Sequence, residues 1–600
     1  MTSTHSTGDS EPNQDHSVIN VSTVPTTPTR SRSCSPSLDA STDPDSVLSN
    51  SKLEDSDNES IRPKPVRNVC FVGAGYVGGP TAAVIAHQNP SINVTVVDKD
   101  QRRIRRWNSR HLPIYEPGLA DIVRVARDGL LPFGKEDEQL SARKPNLFFS
   151  SDVSKSIAES DIVLIAVNTP TKTRGAGSGR ATDMTSFEAV AAEVVRHAKP
   201  GTIIVEKSTV PCRTAEMIQE MIRIQRPGTH FEILSNPEFL AAGTAVQDLL
   251  NPDRIIIGSA PTPEGRTAGE TLAGVYASWI DRSRILTTNV WSSELAKLVA
   301  NSMLAQRLSS INSISAICEA TGAEVKEVSA AIGRDARLGD KFLRAGIGFG
   351  GSCFAKDINS LAYIAESLGL HEVAEYWRQV LKINNYQRDR FAARVIQRLR
   401  NTLVTKKVTV LGYAFKKNTS DTREAPALEI IKTLLDENPR EIAVYDPCCN
   451  PYVIENEIRS LQNHGSPALN EDGGPVMVYS DAYEACAGAN AIIIVTDFDE
   501  FRNEPIAAVV KGSAETQTSE IQNRFNVEPE CAADCPDCHT TYGESTDHTY
   551  TAKEQLDWSR ISTDMTSPKW LFDGRCIIDA SKMSKLGIRV ESIGSAGLGV

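Results

Sequence analysis

The sequence predicts an α/β protein in which two Rossmann-like, doubly wound domains are joined by a central helical domain. Three observations support this prediction: β-branched runs that alternate with helical patterns, a strand-free block in the middle of the chain, and a second alternating block after it. Short strands separated by helices are typical of parallel sheets that helices cover on both faces. At 600 residues, the chain is too long for a single core.

We expect five segments along the chain. Residues 1–64 are rich in Ser, Thr, Pro and Asp and nearly lack aliphatic residues, which predicts a disordered N-terminal tail. A first Rossmann-like domain is expected over 65–285, a central helical domain over 286–403 and a C-terminal α/β domain over 404–600. Within this last domain the polar stretch 502–555 is predicted to be a disordered insert.

The first domain is expected to contain strands in five short runs rich in β-branched residues. These runs lie at 68–73, 92–98, 161–167, 202–206 and 254–258. Because helical patterns separate them, they predict a parallel sheet.

A long helix opens the central domain. Its pattern runs from about Ser292 to Ala320 and ends at Gly322, a residue type common just after the last helical turn. Further helices are expected to about Leu403, and this block has no predicted strand. The second α/β domain is expected to have strands at 407–412, 442–446, 491–496 and 575–579.

Composition excludes several functional classes. A net charge of -12 argues against general binding to nucleic acid or to acidic membranes. No run of 18 apolar residues is present, so no membrane span is expected, and the N-terminus lacks the basic and apolar regions of a secretory signal. The 12 cysteines are scattered, mostly in apolar runs, as expected for free thiols in a reducing, cytoplasmic setting.

One group of cysteines resembles a zinc site. Cys531, Cys535 and Cys538 lie close together, with His539 directly after the last of them. Their spacing and polar surroundings match no standard zinc finger, so incidental cysteines in the insert are the preferred interpretation and no metal is expected.

The richest stretch in chemical groups is Gly346-Ile-Gly-Phe-Gly-Gly-Ser-Cys-Phe-Ala-Lys-Asp357. Its four glycines allow the backbone to approach a ligand closely, and Cys353 at the end of the loop could serve as a nucleophile. The alternative is a turn beside a buried free thiol.

A dinucleotide fingerprint lies at the start of the first domain. Gly73-Ala-Gly75-Tyr-Val-Gly78 follows a strand and opens a helix, and Asp98 ends the next strand 20 residues after the third glycine. The glycines would let a pyrophosphate reach the helix N-terminus, and Asp98 would bind the ribose hydroxyls. An acid at this position favours NAD over NADP. The alternative is a Rossmann-like domain with an empty crevice.

Lys297 and Asn301 are four residues apart on the long helix and therefore share one face. Taken alone, this spacing is also typical of a solvated surface lysine. The pair becomes interesting if its face meets the glycine-rich loop.

On the evidence of these residues, the chain resembles the UDP-glucose/GDP-mannose dehydrogenase family, and within it the eukaryotic type that oxidises UDP-glucose. The resemblance runs from about Val66 to about Gly594, apart from the insert. The matching motifs are Phe71-Val-Gly-Ala-Gly-Tyr-Val-Gly-Gly-Pro80, Pro113-Ile-Tyr-Glu-Pro-Gly118, Val167-Asn-Thr-Pro-Thr-Lys-Thr173, Glu206-Lys-Ser-Thr-Val-Pro211, Ser235-Asn-Pro-Glu-Phe-Leu240, Asn251-Pro-Asp-Arg254 and Phe415-Lys-Lys-Asn-Thr-Ser-Asp-Thr-Arg423.

The resemblance implies a role for each of three residue sets. The catalytic set comprises the nucleophile and its polar neighbours: Cys353, Lys297, Asp357, Glu238, Thr209 and Asn301. The NAD-binding set is Gly73, Gly75, Tyr76, Val77, Gly78, Asp98, Arg103, Val167, Asn168, Thr169, Pro170, Thr171 and Arg423. The substrate-binding set is Phe239, Leu240, Arg337, Arg344, Phe349, Gly350, Phe415, Lys416 and Arg575.

The resemblance further implies the reaction. The C6 alcohol of UDP-glucose would become the carboxylate of UDP-glucuronate with two NAD, through a thiohemiacetal and then a thioester on the cysteine. Two positions depart from the family pattern: Ala242 stands where glutamate is common, and Asn418 stands where aspartate is frequent. The first bears on cofactor affinity and rate.

Two other functions stay open at the sequence level. One is the same chemistry on another nucleotide sugar, of the GDP-mannose or UDP-N-acetylhexosamine type. The other is a weakly active paralogue that binds nucleotide sugar and regulates. The resemblance also implies a homo-oligomer, a dimer or a hexamer, and no nucleic-acid or membrane partner is expected.

Overall fold

The computed structural model describes residues 65–129, 143–463, 466–503 and 554–595. The predicted tail, nearly all of the predicted insert and the group of Cys531, Cys535, Cys538 and His539 lie outside the described residues. All eight cysteines within them are free.

The first domain is built on an eight-stranded sheet in the order β3-β2-β1-β4-β5-β6-β7-β8. Its strands are β1 (Asn68–Val72), β2 (Asn93–Val97), β3 (Leu147–Ser150), β4 (Ile162–Ile165), β5 (Ile203–Glu206), β6 (Glu232–Ser235), β7 (Ile255–Ser259) and β8 (Ile285–Asn289). All five predicted strands are present, and β3, β6 and β8 are additional. The first six strands follow the Rossmann order, which confirms the predicted fold class for this domain.

Helices cover both faces of this sheet. They are α1 (Gly78–Gln88), α2 (Gln101–Trp107), α3 (Leu119–Asp128), α4 (Val153–Glu159), α5 (Thr185–His197), α6 (Thr214–Gln225), α7 (Ala245–Leu250) and α8 (Pro263–Tyr276). Alternate residues of β1 enter different cores: Val69 and Phe71 pack on one face, and Cys70 and Val72 on the other. A strand buried on both faces explains the unbroken apolar run in the sequence.

The expectation of a purely parallel sheet is wrong at one edge. β7 pairs with β6 in the antiparallel sense through Ser235 and Gly258, while β8 is parallel to β7. The connection from β6 to β7 contains one helix, α7, which is six residues long, and it does not return the chain to the opposite edge of the sheet. β7 therefore starts at the edge where β6 ends, and this brings the loop after β6 and the residues before β7 to the same place.

The central domain is helical, as predicted, but the strand-free block predicted over 286–403 is wrong at its start, because β8 extends to Asn289. Its helices are α9 (Val290–Thr321), α10 (Val325–Gly333), α11 (Phe354–Ser367) and α12 (His371–Arg398). α9 ends at Gly322, whose φ of 84° is left-handed, which confirms the predicted helix stop. Asn289 caps the other end of α9 by accepting a hydrogen bond from the Ser292 N–H at 2.8 Å.

The C-terminal domain repeats the Rossmann order in an all-parallel sheet of six strands, β13-β10-β9-β14-β15-β16. Its strands are β9 (Lys407–Leu411), β10 (Glu441–Tyr445), β13 (Val476–Tyr479), β14 (Ala491–Ile494), β15 (Trp570–Asp573) and β16 (Arg589–Ser592), and β11 (Gln462–Asn463) and β12 (Ser466–Pro467) form a separate pair. Its helices are α13 (Pro426–Leu435), α14 (Pro451–Arg459), α15 (Ala482–Cys486), α16 (Trp558–Asp564) and α17 (Ala580–Lys585). Three 3₁₀ turns complete the described elements, at Arg282–Arg284, Asn470–Asp472 and Asp499–Phe501.

The strand predicted at 575–579 is wrong. The fifth strand in the sheet is β15, Trp570–Asp573, and a turn follows it, with Cys576 at a φ of 56°. The buried Asp573 carboxylate stabilises this turn by accepting from the Arg575 N–H at 3.0 Å and the Ile578 N–H at 2.8 Å. The apolar run after the turn is buried without joining the sheet, so burial alone misled the sequence interpretation.

Among the described residues, no helix combines the length and the apolar character that crossing a membrane requires.

A charged cluster joins the central helices to the C-terminal domain. Glu319 of α9 pairs with Arg390 and Arg394 of α12 and accepts a hydrogen bond from the Gly594 N–H at 2.7 Å. Arg394 also reaches Glu591 of β16, with 3.2 Å between Nε and Oε1. Burial raises the pKa of Glu319, but its bonds to Arg390 and Gly594 outweigh burial and hold the pKa below its ordinary value.

We predict that Glu319→Gln lowers the free energy of unfolding by about 3 kcal/mol, because it removes the carboxylate that the partly buried Arg390 and Arg394 share. A carboxyl whose pKa is lowered by folding stabilises above its unfolded pKa, and that stabilisation is lost as the pH falls through the folded pKa. The difference between wild type and variant should therefore shrink on acidification. Urea unfolding at several pH values measures it.

The matched control is Glu220→Gln, which removes a carboxylate paired with Arg223 on the exposed face of α6. Exposed pairs contribute little, so this control should unfold like the wild type at every pH. Equal stability of the Glu319 and Glu220 variants would contradict the assigned role of the cluster.

Candidate active site

The glycine-rich loop lies between the central helices and the C-terminal domain. The Gly346 N–H donates to Asn312 of α9 at 2.9 Å, and the Phe349 N–H donates to Asn384 of α12 at 2.8 Å. On the other side the Gly351 N–H donates to the Arg423 carbonyl at 3.0 Å. Both neighbours therefore hold the backbone of the loop in place.

Two of its glycines are needed for this close packing. A Cβ atom on Gly350 would lie 2.4 Å from the Glu424 carbonyl oxygen, and one on Gly351, where φ is 85°, would lie 2.9 Å from the Phe415 ring. Only glycine fits at these two positions, because the C-terminal domain packs directly against their backbone. The sequence pattern did not predict this steric reason.

Arg575 holds the same junction from the C-terminal side. Its partly buried guanidinium donates from Nε to the Val495 carbonyl at 2.5 Å, from Nη1 to the Gly348 carbonyl at 3.2 Å and from Nη2 to the Phe415 carbonyl at 3.3 Å. The sequence assigned this residue to the substrate. The structure places it between the glycine loop and the Phe415 turn.

Cys353 ends the loop and directly precedes α11. Its side chain is exposed, in contrast to the buried thiols of Cys70 and Cys318, so the buried-thiol alternative is excluded. A side chain at this position lies at the positive end of the helix dipole.

Asp357 lies one turn after Cys353 and is almost completely buried. Its Oδ2 accepts from Asn301 Nδ2 at 2.6 Å, and its Oδ1 lies 2.6 Å from Lys356 Nζ. The structure thus brings together three groups of the loop and the long helix. The sequence interpretation gave no role to Lys356, although it stands between two chosen residues.

Lys297 is buried beside this group, which excludes the alternative of a solvated surface lysine. Burial lowers its pKa, while the charges of Asp357, Cys353 and Glu238 act in the opposite direction. An ammonium group is therefore held within electrostatic reach of the Cys353 sulfur.

The Phe239 ring makes a cation–π contact with Lys297. The ring lies 5.0 Å from Lys297 Nζ and 4.0 Å from the Arg254 guanidinium carbon, so two cations share one aromatic ring. Arg254 directly precedes β7, and the antiparallel course of that strand brings it here. In the sequence, Arg254 was identified only as the last residue of a matching motif. Its contact with the Phe239 ring was not predicted.

Glu238 is held as a carboxylate by Lys207. The Lys207 Nζ lies 2.8 Å from Glu238 Oε2, and Oε1 accepts from the Phe239 N–H at 2.8 Å. Burial raises the pKa of Glu238, but Lys207 and its hydrogen bonds outweigh burial, so the pKa lies below its ordinary value. Lys207 is buried and directly follows β5. Its place just after a strand, within a matching motif, could have identified it as a site residue from the sequence.

Two further cations come from the C-terminal domain. Burial lowers the pKa of Lys416, while Glu116, Asp248, Asp497 and Cys353 act to raise it. Arg423 pairs with Asp421, with Nε 2.8 Å from Oδ1, and it too interacts with the charge of Cys353. Cys353 therefore lies in the field of cations from the central and C-terminal domains.

The fingerprint loop meets the requirements of a dinucleotide. A Cβ on Gly73 would lie 2.4 Å from the Ala166 carbonyl oxygen, and one on Gly78 would lie 1.9 Å from the Gly73 carbonyl oxygen. A Cβ on Gly75 would meet only Asn168 Oδ1, at 3.9 Å, so this glycine faces open space. The first and third glycines serve packing and the second leaves room for a phosphate group.

Asp98 is fixed beside this loop. Its Oδ2 accepts from the Ala74 N–H at 2.9 Å and from Arg103 Nη1 at 3.0 Å. The carboxylate is thus aimed at the loop, as a ribose site requires, and Arg103 binds the carboxylate.

The segment Val167–Thr171 follows β4 at the same edge of the sheet. Thr169 Oγ1 donates to the Thr209 carbonyl at 2.8 Å, which joins the predicted cofactor segment to the predicted catalytic threonine. Pro170 accepts from the Asp183 N–H at 2.7 Å and so anchors the loop that follows.

Two predicted substrate arginines do not join this group within the chain. Arg337 binds Asp335, with Nη2 2.7 Å from Oδ2, and 89% of its side chain is exposed. Arg344 is exposed just before the glycine loop. Phe349, which was also predicted to bind the substrate, packs edge-to-face on Phe354, and the two ring centroids are 5.5 Å apart.

Ala242 and Asn418, the two departures from the family pattern, lie at the contact between Gly243 and Asn418. A Cβ on Gly243, the neighbour of Ala242, would lie 2.8 Å from the Asn418 carbonyl oxygen. Asn418 has a φ of 61°, a conformation that asparagine tolerates. Two positions that could each hold a carboxylate are therefore neutral here.

Comparison with known proteins agrees with this geometry. Three domain models of one family match the chain: the NAD-binding domain of the UDP-glucose/GDP-mannose dehydrogenase family at 67–280, its central domain at 291–386 and its UDP-binding domain at 409–524.

Individual relatives match over most of their length. UDP-glucose 6-dehydrogenase 5 of Oryza sativa subsp. japonica is 44% identical over 532 residues, covering 88% of this chain and 96% of that protein. The Mus musculus UDP-glucose 6-dehydrogenase is 44% identical, with 88% and 93% covered. A solved UDP-glucose dehydrogenase from Pyrobaculum islandicum superimposes with a TM-score of 0.61 at 29% identity, covering 73% of this chain and 91% of that one.

We predict that iodoacetamide modifies Cys353 faster than any other described cysteine, because its sulfur is exposed, starts a helix and lies in the field of several cations. Peptide mapping by mass spectrometry after timed labelling at pH 7 measures the rates. Lys297→Met should slow labelling of Cys353 several-fold by removing one cation. Cys212, which is partly exposed, is the internal control and should react at the same rate in both proteins. Faster labelling of Cys212 than of Cys353 would contradict the prediction.

Proposed function

The chain belongs to the UDP-glucose/GDP-mannose dehydrogenase family, and we propose that it oxidises the C6 alcohol of UDP-glucose to the carboxylate of UDP-glucuronate with NAD as the oxidant. The observation that carries this proposal is the exposed Cys353 at the start of α11, beside the buried Lys297 and the hydrogen-bonded pair of Asn301 and Asp357. Identity of 44% to UDP-glucose 6-dehydrogenases over 88% of the chain supports the choice of substrate.

The oxidation removes four electrons, so the substrate passes through an aldehyde. NAD, when bound, accepts a hydride from the reacting carbon. Cys353 then forms a carbon–sulfur bond to the aldehyde carbon while the carbon–oxygen π bond breaks and its electron pair moves to the former carbonyl oxygen. The Lys297 ammonium and the Asn301 amide would stabilise the charge on that oxygen. Removal of a second hydride leaves a thioester on Cys353. Water attacks that thioester, the carbon–sulfur bond breaks, and the thiolate leaves while the carboxylate forms.

A base is needed for the hydrolytic step. Asp357 is buried against Asn301 and Lys356, and Glu238 is kept ionised by Lys207, so these two groups are the candidates for that base. Glu238 fits the acceptance of a proton from water better than the donation of one, because its pKa lies below the ordinary value. We assign Thr209, which meets the cofactor segment, to orientation of the water.

We assign the cofactor to the fingerprint loop. Gly75 leaves room for the pyrophosphate, Asp98 binds the ribose, and the remaining contacts come from the segment Val167–Thr171 and from Arg423. We assign the uridine diphosphate to the junction with the C-terminal domain, where Phe415 lies against the glycine loop and Lys416 Nζ lies 5.8 Å from the centre of the Phe415 ring. Phe239 and Leu240 border the sugar.

We propose that the protein acts as a homo-oligomer. Arg337 is exposed on a loop whose neighbours Leu338 and Phe342 are also exposed, and so are the apolar side chains at the junction of α11 and α12, with Leu368 at 68%. Burial of these groups against a second copy would explain both the apolar surface and a substrate role for Arg337 at a neighbouring site. The free state of all eight described cysteines supports a reducing compartment such as the cytoplasm.

The stoichiometry of the reaction tests the proposed function. We predict two NADH for each UDP-glucose consumed, with UDP-glucuronate as the product and no free aldehyde. Absorbance at the NADH band and chromatography of the nucleotide sugars measure both quantities. GDP-mannose and UDP-N-acetylglucosamine serve as alternative substrates in the same assay. A ratio of one, or faster oxidation of either alternative, would contradict the proposal.

Cys353→Ser tests the covalent step. We predict that turnover to UDP-glucuronate falls at least about 1,000-fold, because a serine hydroxyl without an activated base is a poor nucleophile. Binding of UDP-glucose should stay within two-fold of the wild type, since the substituted atom contributes little to binding the nucleotide. Cys212→Ser is the matched control and should retain full turnover. Unchanged turnover of the Cys353 variant would exclude the thioester route.

A further inference from the structure

Glu116 is a buried carboxylate that accepts hydrogen bonds from three donors. Glu116 lies 38 residues after the last glycine of the fingerprint in the sequence. Its carboxylate nevertheless accepts a hydrogen bond from the Tyr76 hydroxyl within that fingerprint. Its other partners are the Gly243 N–H at 2.6 Å, on the same Oε1, and the Ala245 N–H at 3.0 Å, on Oε2. Only 3% of the residue is exposed.

These donors belong to loops with different tasks. Tyr76 lies in the turn assigned to the cofactor pyrophosphate. Gly243 and Ala245 lie at the end of the loop that carries Glu238 and Phe239, on the sugar side of the site. One carboxylate therefore joins the two loops directly.

The second loop extends the link to the C-terminal domain. A Cβ on Gly243 would lie 2.8 Å from the Asn418 carbonyl oxygen and 3.2 Å from that of Lys417, so the two backbones are in contact. Lys416 interacts with the charges of both Glu116 and Cys353. The link thus reaches the turn that we assign to the uridine diphosphate.

The environment of the carboxylate marks it as more than a helix cap. Burial raises the pKa of Glu116 to about 7, while the N–H groups of Gly243 and Ala245 and the charge of Lys416 act to lower it, and Asp248 acts to raise it. A cap for α7 needs only the two backbone donors. The hydroxyl of Tyr76 adds a bond to another loop that capping does not require.

We propose that Glu116 is a positioning residue that couples occupation of the cofactor loop to occupation of the nucleotide-sugar site. This inference rests on the proposed function. The oxidation consumes two cofactors per sugar, so one cofactor must be exchanged while the sugar stays on Cys353, and a mechanical link between the loops lets the held sugar set the affinity for the cofactor.

Binding of NADH with and without saturating UDP-glucose tests the coupling, since this pair cannot react. Fluorescence titration gives the two dissociation constants of NADH, and their ratio is the coupling factor. We expect a factor of at least about five in the wild type, and a factor near one in Tyr76→Phe and in Glu116→Gln. In Tyr76→Phe the affinity for UDP-glucose alone should stay within two-fold of the wild type, because only the hydroxyl is lost.

The matched control is Asp161→Asn. The Asp161 carboxylate also accepts two backbone hydrogen bonds, from the Arg67 N–H at 2.9 Å and the Asn68 N–H at 3.0 Å, but at the start of β1, the opposite edge of the sheet. Its coupling factor should equal that of the wild type. Thermal unfolding of all variants separates loss of the link from loss of the fold, and Tyr76→Phe alone decides if Glu116→Gln does not fold.

The outcomes separate the two proposals. A wild-type protein that oxidises UDP-glucose but shows the same coupling factor as Tyr76→Phe overturns the inference and leaves the function intact. A wild-type coupling factor of one also overturns it. Failure of the wild type to oxidise UDP-glucose overturns the proposed function.

Discussion

The reaction centre depends on the contacts of the Arg575 guanidinium. This guanidinium binds backbone carbonyls of the glycine loop, of the Phe415 turn and of the segment after β14, so three pieces of chain keep a fixed relative position. Glycines at 350 and 351 make this approach sterically possible. The loop that presents Cys353 is therefore shaped by the C-terminal domain as much as by its own sequence.

Charge is balanced around the nucleophile by groups from all three domains. Lys297 comes from the central helix, Lys416 and Arg423 from the C-terminal domain, and Glu238 from the first domain, where Lys207 neutralises it. Buried charges are costly unless they are paired. This distribution means that the site exists only when the domains are docked, and it explains why many buried ionic groups lie at the domain boundaries.

Local pattern was sufficient for much of this architecture. The period of the long helix placed Lys297 and Asn301 on one face, and the structure adds the hydrogen bond from Asn301 to Asp357. Lys207, Arg254 and Glu116 were missed as individual residues because their partners are distant in sequence and meet them only through the sheet order. The strand at 575–579 was wrong for a related reason: a buried apolar run satisfies its backbone through the Asp573 turn, which no periodicity reveals.

The distance along the chain between Arg575 and the loop it supports has a consequence for biosynthesis. The carbonyl of Gly348 is translated 227 residues before the guanidinium that binds it. Domains fold largely in order of synthesis, so the first sheet can form while the ribosome is still adding the last strands. During that interval the cysteine loop lacks its outer wall, and the nascent protein carries a thiol without a completed site. The reaction centre is thus completed only after the segment that carries Arg575 has been synthesised.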